Sequence, residues 1–426
     1  MRFFRKLKRV LDTPIAMSMG RALTAILSLV TAPIIAQAIG TEGRGLTGAA
    51  LAAVQITGIA IGMGVPLAVR RRSVDADPAT LASLVKTARL FGWLTVLPAL
   101  GIGVLCHLFF FGELSTTDSA MFLVAMASSC LTVLWTTDLN VFVAERRYFR
   151  MVCLVSIQSV AYFIGVMIFW LTGHLTVGTV LLCFAAGTVA AFVLGRSWMS
   201  VRGGQIREFW SVVREGFTMW GSQLAEMASY RLDQLLVLPV IGASATGIYS
   251  VASTIGMLPF SLAVALGASV FQSFARTKDK ALISGAIRQI TVIVVVVALG
   301  LALVSIWLIP GLFGEDFRDS VVVSWITLFG CVFIAMNYIA VSALIAQRRG
   351  KAMTAMQVVG LAIGIGLMYP MGSAFGAQGA AWAAVIGYAT TFALALVSLR
   401  IPPLDIVPRP RDLPLAVRAF LQRGSS

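Results

Sequence analysis

Charged residues are scarce in this chain. Only 12% of its 426 residues are Asp, Glu, Lys or Arg, whereas 58% are hydrophobic. Because soluble domains carry about 25% charged residues, this composition excludes an ordinary soluble protein and indicates a polytopic membrane protein. Acidic residues are the scarcer class, with 18 Asp and Glu against 33 Lys and Arg.

The chain also lacks the patterns of disulfide, metal and phosphate-loop sites. Its cysteines are isolated in apolar segments, and we expect them to be small core residues: Cys106, Cys130, Cys153, Cys183 and Cys331. His107 and His174 have no partner at ligand spacing. The glycine-rich turns at 40–45 and 242–247 lack the lysine of a phosphate loop, so tight-turn geometry explains them better. We therefore expect no metal and no cofactor.

Long apolar runs fill most of the sequence. Twelve segments of roughly 20 residues or more are each long enough to cross a hydrocarbon core of about 30 Å. They lie at 14–39, 46–69, 90–111, 119–144, 151–171, 176–195, 216–241, 247–275, 289–309, 320–346, 352–372 and 377–399. This pattern predicts an all-α membrane protein with twelve transmembrane helices.

The basic residues cluster at alternate ends of these segments. Only Arg44 and Arg318 fall on the opposite side, while Arg21 and Arg231 fall within segments. By the positive-inside rule, both termini are expected in the cytoplasm. The net charge of +15 is therefore a topology signal, with a secondary role toward anionic lipids. Because the charge is scattered over short loops, we expect no nucleic-acid partner.

An internal repeat divides the chain. IGTEGRGL at Ile39 recurs as IGASATGI at Ile241, Phe111-Gly112-Glu113 recurs at Phe313, and Ala144-Glu145-Arg146-Arg147 recurs as AQRR at Ala346, each 202 residues later. Three matches at one offset, all at helix ends, indicate two copies of a six-helix unit. Because six is even, both copies keep one orientation, and two such lobes are expected around a central cavity.

The repeat predicts the domain organisation. We expect an N-terminal lobe at 1–195, a cytoplasmic linker at 196–215 with an interfacial amphipathic piece, a C-terminal lobe at 216–400 and a basic cytoplasmic tail at 401–426. The sequences LASLVKTARL, REFWSVVRE and LPLAVRAFLQR are amphipathic and are expected along the interface. None of the loops is long enough for a globular domain.

The seventh segment is unusually polar. Between Gly216 and Ile241 it carries Glu226, Arg231 and Asp233. A charge at membrane depth costs about 2.5–3.5 kcal/mol or more and usually faces a protein interior or an aqueous cavity. Glu226 and Asp233 share one helix face with two serines, whereas Arg231 projects elsewhere, so the segment needs an external partner.

Several stretches resemble a known family. APIIAQAIGTEGRGLTGAALAAVQ, YRLDQLLVLPVIGASATGIYSVAS, FGEDFRDSVVVSWITLFG, ALIAQRRGKAMTAMQVVG and FGAQGAAWAAVIGY resemble the polysaccharide-transporter branch of the multidrug/oligosaccharidyl-lipid/polysaccharide exporter superfamily. The resemblance covers most of the chain and is strongest from Tyr230 to Gly387. It implies a non-enzymatic flippase in the bacterial inner membrane. The implied cargo is an undecaprenyl-diphosphate-linked oligosaccharide, moved to the periplasmic leaflet for O-antigen, capsule or exopolysaccharide.

Arginines suit the diphosphate of such a cargo. The planar guanidinium offers several donors and stays charged. Arg231 is the first candidate, with a structural pair to Asp138 or Glu226 as the equal alternative. Arg21 is the second candidate, although it lies near its helix end and could instead reach the headgroups.

Other polar residues within segments are candidates for coupling and recognition. Glu226, Asp233 and Asp138 could couple transport to a proton or sodium gradient, with helix packing as the alternative for Asp233. Gln223, Gln55 and Asn337 are candidates for contact with sugar hydroxyls, although interhelical hydrogen bonding explains such residues by default.

Three other functions compete with the flippase. A cation-coupled multidrug antiporter of the same superfamily would favour an acidic cavity, and Arg231 argues mildly against it. A membrane glycosyltransferase or polymerase needs a substantial extramembrane loop, and the outer loops here are very short. A scaffold for polysaccharide synthesis would leave the buried charges unexplained. Expected partners are the lipid-linked cargo, membrane lipids and the polysaccharide polymerase or export machinery.

Overall fold

The chain is almost entirely helical. The computed structural model describes residues 14–74, 76–199, 203–261, 263–264, 280–347 and 349–408, with side chains from Leu23 onward. Within these ranges it has fourteen α-helices, two 3-10 turns and no strand. The chain divides into two compact units, Met1–Met227 and Ala228–Ser426.

The first unit begins with α1 (Pro14–Gly62), in which the backbone leaves helical geometry at Gly40 (φ 67°, ψ −172°). Two helices of membrane length therefore follow one another within α1. The unit continues with α2 (Val65–Ser73), α3 (Pro78–Leu94), α4 (Val96–Phe110), α5 (Thr116–Ala127), α6 (Ser129–Ala144), α7 (Tyr148–Leu171) and α8 (Val177–Trp198).

Helix α9 (Phe209–Leu236) starts in the first unit and ends in the second. It is followed by α10 (Leu238–Ile241), α11 (Ala243–Gly256), α12 (Lys280–Phe313), α13 (Ser320–Ala346) and α14 (Gly350–Leu399). In α14 the backbone leaves helical geometry at Gly376 (φ 57°, ψ −136°), which separates two crossings. The 3-10 turns are Glu315–Phe317 and Pro403–Ile406, and most of the predicted tail, 409–426, lies outside the described residues.

The twelve-helix layout is consistent with these elements, and the chain is an all-α polytopic membrane protein. Segment 14–39 and most of segment 46–69 are joined in α1, and the end of the second segment lies in α2. Segments 352–372 and 377–399 are joined in α14. Eight helical stretches of the described residues are long and apolar enough to cross a membrane. Helix α9 is not among them, and its sequence carries five charged residues. The end of the segment predicted at 247–275 lies outside the described residues.

Both units contain the same local structures at repeat-equivalent positions. Gly242 has φ 80° and ψ 169°, which reproduces the turn at Gly40. Helices α6 and α13 end at the equivalent residues Ala144 and Ala346. Just beyond these ends, the backbone N–H of Arg147 donates to Phe142 at 2.8 Å, and that of Arg349 donates to Leu344 at 2.9 Å. The sequence repeat is therefore a repeat of backbone geometry.

Each unit has its own apolar core. In the first unit, α3, α6 and α8 pack around buried side chains such as Leu84, Val133 and Phe142. The predicted amphipathic piece LASLVKTARL belongs to α3, and its apolar face is buried in this core. In the second unit, α11, α13 and α14 pack around Tyr249 and Val323. These two cores hold the charged residues that are described next.

Candidate functional site

A buried hydrogen-bond cluster surrounds Asp233 in the second unit. The Tyr249 hydroxyl donates to Oδ2 of Asp233 at 2.5 Å, and the Tyr388 hydroxyl lies 3.4 Å from the same oxygen. The backbone N–H of Gln234 donates to Oδ1 at 2.8 Å. Because three helices, α9, α11 and α14, supply these groups, the carboxylate joins separate parts of the unit.

Arg231 lies at the edge of this cluster. Its Nη1 is 3.4 Å from Oε1 of Gln234, a long contact, and it lies within electrostatic range of Asp233. Gln234 in turn donates from Nε2 to the Ser253 hydroxyl at 3.2 Å. Arg231 is only partly buried, whereas Asp233 is 8% exposed. The guanidinium therefore keeps donors for a further anionic partner.

A small cavity of about 30 Å³ adjoins Asp233, between the end of α9 and the two halves of α14. Ser229, Thr391 and Tyr388 also line it. The two halves of α14 approach closely here, since a side chain at Gly360 would meet the Thr391 hydroxyl and the Gly387 carbonyl oxygen. A cavity of this size accommodates one water molecule or one small ion. Most of its lining is apolar, and its polar groups are the side-chain oxygens of Asp233, Ser229, Tyr388 and Thr391.

A second buried charge pair lies in the first unit. Asp138 on α6 is fully buried, and its Oδ1 is 3.1 Å from Nη2 of Arg89 on α3. Oδ2 has no hydrogen-bond partner among the described residues. Gly195 on α8 packs against this oxygen, because a Cβ there would lie only 3.1 Å away. Arg196 is within electrostatic range of the same carboxylate.

The sequence-predicted residues are distributed over both units. The structure brings Arg231 and Asp233 into one cluster, while Asp138 has its own partner, Arg89, in the first unit. Glu226 is partly buried and has no partner among the residues that the structure describes. The side chain of Arg21, on α1, lies outside the described residues.

The three candidate amides lie on three different helices. Gln55 on α1 and Gln223 on α9 are partly exposed. Asn337 on α13 is 8% exposed, and its Oδ1 is buried without a hydrogen-bond partner among the described residues. The structure does not bring Asn337 into the Asp233 cluster.

Sequence reasoning missed the partners of both carboxylates. Tyr249 and Tyr388 lie within the family-like stretches IGASATGIYS and FGAQGAAWAAVIGY, where a phenol in an apolar helix was an available signal. The sequence places Arg89 just before the segment 90–111, within the amphipathic piece LASLVKTARL, and so outside the predicted membrane helices. The start of α3 at Asp77-Pro78, an N-cap followed by proline, was the signal that the helix begins earlier and includes Arg89.

The fold is similar to solved transporter structures. The lipid II flippase MurJ in an inward closed conformation matches with a TM-score of 0.77 and 16% identity, over 96% of this chain and 93% of that chain. An inward-facing multidrug resistance MATE family transporter of the MOP superfamily matches with a TM-score of 0.68 and 14% identity, over 94% of this chain and 96% of that one. No curated protein sequence matches the chain.

These likenesses define the class: the chain has the fold of MOP-superfamily transporters. The family follows from the sequence. The polysaccharide biosynthesis protein family matches residues 10–278, which is more than half of the chain, and the chain belongs to that family. Its fold is similar to that of solved transporter and flippase structures.

Proposed function

We propose that this protein is a flippase for an undecaprenyl-diphosphate-linked oligosaccharide. It moves the cargo from the cytoplasmic to the periplasmic leaflet of the bacterial inner membrane by alternating access, for O-antigen, capsule or exopolysaccharide synthesis. The observation that carries the proposal is membership of the polysaccharide biosynthesis family on a fold similar to a lipid II flippase. No catalytic step is assigned to the chain, and both termini are placed in the cytoplasm.

Arg231 is assigned to the diphosphate. Its only hydrogen bond to a described side chain is the long contact of 3.4 Å to Gln234, so a phosphate oxygen can replace that acceptor at little cost. Arg21 is a second candidate because it lies on the helix of the first unit that the repeat pairs with α9. Gln223, Gln55 and Asn337 are assigned to sugar hydroxyls.

Asp233 is assigned to ion coupling. Its carboxylate is buried, has phenol donors from two other helices and borders a cavity for one water molecule or one small ion. Uptake of a proton or sodium ion changes the charge of this cluster and thereby the relative stability of two arrangements of the unit. Glu226, which has no described partner, and Asp138 are the alternative coupling residues.

The test is the leaflet distribution of undecaprenyl-linked oligosaccharide in cells that lack the protein and in complemented cells. A flippase predicts accumulation in the cytoplasmic leaflet and loss of surface polysaccharide, both reversed by complementation. Unchanged lipid-linked sugar would contradict the proposal. Intact surface polysaccharide with raised sensitivity to cationic drugs would assign the chain to multidrug export, which the similarity to MATE structures favours as the second candidate.

The membrane setting supplies the remaining partners. Membrane lipids surround the helices, and a polysaccharide polymerase or export machinery receives the cargo in the outer leaflet. Co-purification of the full chain with a membrane polysaccharide polymerase or export protein from the same cells tests this last assignment.

A further inference from the structure

Three basic side chains line one cavity at an end of the first unit. The cavity has a volume of about 580 Å³ and is lined by Lys86 and Arg89 of α3 and by Arg196 of α8, with Gly203 and Gly204 beside them. None of the described residues that line it is acidic. We call it the α3–α8 basic cavity. It lies where the sequence places the basic ends of its membrane segments.

Among the residues that the structure describes, Arg89 is the one member of the three with an acidic side chain within ion-pair distance. Asp138 pairs with Arg89 from behind the cavity wall, at 3.1 Å. Arg89 still has a buried Nε without a hydrogen-bond partner among the described residues. Lys86 and Arg196 are exposed. The α3–α8 basic cavity therefore has a net positive charge and unused donors.

The six-helix fold does not require this charge cluster. At the repeat-equivalent positions the second unit has Thr291 for Arg89, Ala340 for Asp138 and Ser398 for Arg196, whereas the basic residue Arg288 stands for Lys86. Ala340 is fully buried in the core of its unit. The second copy thus packs these helices without the Arg89–Asp138 pair and without a charge at the position of Arg196. Packing alone therefore does not explain these three charges in the first copy.

We propose that the α3–α8 basic cavity binds a phosphate group, as part of an anionic lipid headgroup or as free phosphate. Guanidinium groups match phosphate oxygens with paired donors, and Lys86 adds a point charge. The positive-inside pattern of the sequence predicts that these basic residues lie on the cytoplasmic side of the membrane, where basic residues attract anionic lipid headgroups. This inference is independent of the cargo that the protein moves.

The test is a binding titration of the full chain in neutral detergent, by native mass spectrometry. The probes are dioctanoyl phosphatidylglycerol, dioctanoyl phosphatidylcholine and inorganic phosphate. Phosphatidylglycerol is expected to bind at least about tenfold more tightly than phosphatidylcholine. The Lys86→Gln/Arg196→Gln variant is expected to lose about 10- to 30-fold in this affinity, because each basic residue near a headgroup contributes about one factor of five.

A matched control removes the same charge elsewhere. Lys280 and Lys351 are exposed, and Lys280→Gln/Lys351→Gln is expected to keep the affinity within about twofold. An equal loss in both double variants, or no preference for phosphatidylglycerol, overturns the proposal. Inorganic phosphate is then added at the concentration at which it saturates the protein. If it displaces the bound phosphatidylglycerol, the site is assigned to free phosphate; if the phosphatidylglycerol stays bound, the site is assigned to the lipid.

Asp138→Asn separates binding from packing. The substitution removes the carboxylate that competes for Arg89, so the affinity for phosphatidylglycerol is expected to rise. A purely structural role for the pair predicts a lower melting temperature with unchanged or weaker binding, and that result counts against the proposal. The melting temperatures of all variants show whether each one is folded.

Discussion

At the scale of single residues, the two buried carboxylates differ in their partners. Asp138 forms an ion pair with Arg89, and Asp138 is the fully buried member of this pair. Asp233 is held by two phenols and a backbone N–H. The groups bonded directly to Asp233 are neutral, so protonation of this carboxylate breaks no ion pair at hydrogen-bond distance, although Arg231 lies within electrostatic range. For this reason we propose Asp233 before Asp138 as the coupling residue.

Removal of Arg89 alone is expected to destabilise the protein strongly. Arg89→Met leaves the carboxylate of Asp138 buried and unpaired, which costs about 3–5 kcal/mol. In Arg89→Met/Asp138→Leu both charges are absent, as in the second copy, and most of this loss is expected to return. Thermal unfolding in detergent measures the stability of the single and the double variant. If the double variant is as unstable as the single one, the pair is not the cause of the loss.

Arg231 is expected to be required for transport because its guanidinium has a positive charge and several N–H donors. In the proposed role of Arg231, Arg231→Ala removes a hydrogen-bonded contact to phosphate worth about 2 kcal/mol or more, so the transport rate should fall at least about tenfold. Arg231→Lys should retain part of the rate because the charge remains. The leaflet assay measures both variants at matched expression.

Arg318→Ala provides the control for Arg231. This arginine is exposed and its contact to Glu315 is long, at 3.4 Å, so its loss should leave transport unchanged. Wild-type transport in Arg231→Ala would remove Arg231 from the mechanism.

At the scale of elements, two glycines allow the first half of α9 to pack closely against the connection between α1 and α2. A Cβ at Gly216 would lie 2.7 Å from the Met63 carbonyl oxygen and 2.8 Å from the Gly64 carbonyl carbon. Gly64 itself has φ 68°, a conformation that favours glycine. Beside this contact, Arg72 of α2 donates to Glu215, at 2.6 Å, and to Glu208 and Ser211.

Gly216→Ala is expected to destabilise the protein by about 1–3 kcal/mol, because backbone atoms on the opposite side cannot move aside. Gly221→Ala is the matched control on the same helix. Nothing lies within 4 Å of a Cβ at Gly221, so this substitution should stabilise the helix by about 0.5–1 kcal/mol. Thermal unfolding of the two variants should therefore move in opposite directions. A stabilised Gly216→Ala would show that the two backbones are not in close contact.

The start of α3 gives a pH-dependent prediction. The side-chain hydrogen bond from Thr80, and then the backbone N–H of Thr80, lower the pKa of Asp77. A lowered pKa means that the charged cap stabilises the fold at neutral pH and that this stability is lost as the pH falls through the folded pKa. Asp77→Ala should therefore lower the melting temperature at pH 7. At a pH below the ordinary pKa of an aspartate, the same substitution should lower the melting temperature by a smaller amount.

Asp77→Ser is the control for this titration. A serine caps the helix without a charge, so its advantage over alanine should not change with pH. If the difference between wild type and Asp77→Ala is also constant with pH, the carboxylate is not the capping group that stabilises α3.

Sequence reasoning succeeded where the property is local. The apolar runs predicted the helices, and the repeated IG motif predicted the turns at Gly40 and Gly242, both of which have positive φ. It was less successful with partners across helices, such as Arg89 with Asp138 or Tyr249 with Asp233. Such pairs depend on how each helix is rotated against its neighbours, and a run of apolar residues on all faces leaves this rotation undetermined.

At the scale of the whole molecule, the repeat has produced two units with one backbone plan and different polar contents. The first unit has the Arg89–Asp138 pair, and the second has the Asp233 cluster. A duplication supplies two equal folds, and each copy is then free to specialise. On the proposals above, the first copy carries the α3–α8 basic cavity, and the second carries both Arg231 and the Asp233 cluster, so that loss of either group of residues should leave the other intact.

The parallel repeat predicts which side of the membrane each helix end occupies. An even number of crossings per copy puts equivalent residues on the same side. In a chain whose cysteines are replaced by serine, Glu113→Cys and Glu315→Cys, both exposed, should react with an impermeant maleimide from outside the cell. Glu145→Cys and Gln347→Cys should react only after the membrane is permeabilised. An inverted repeat would put the two members of each pair on opposite sides, so labelling of only Glu113→Cys or only Glu315→Cys from outside would rule out the parallel arrangement.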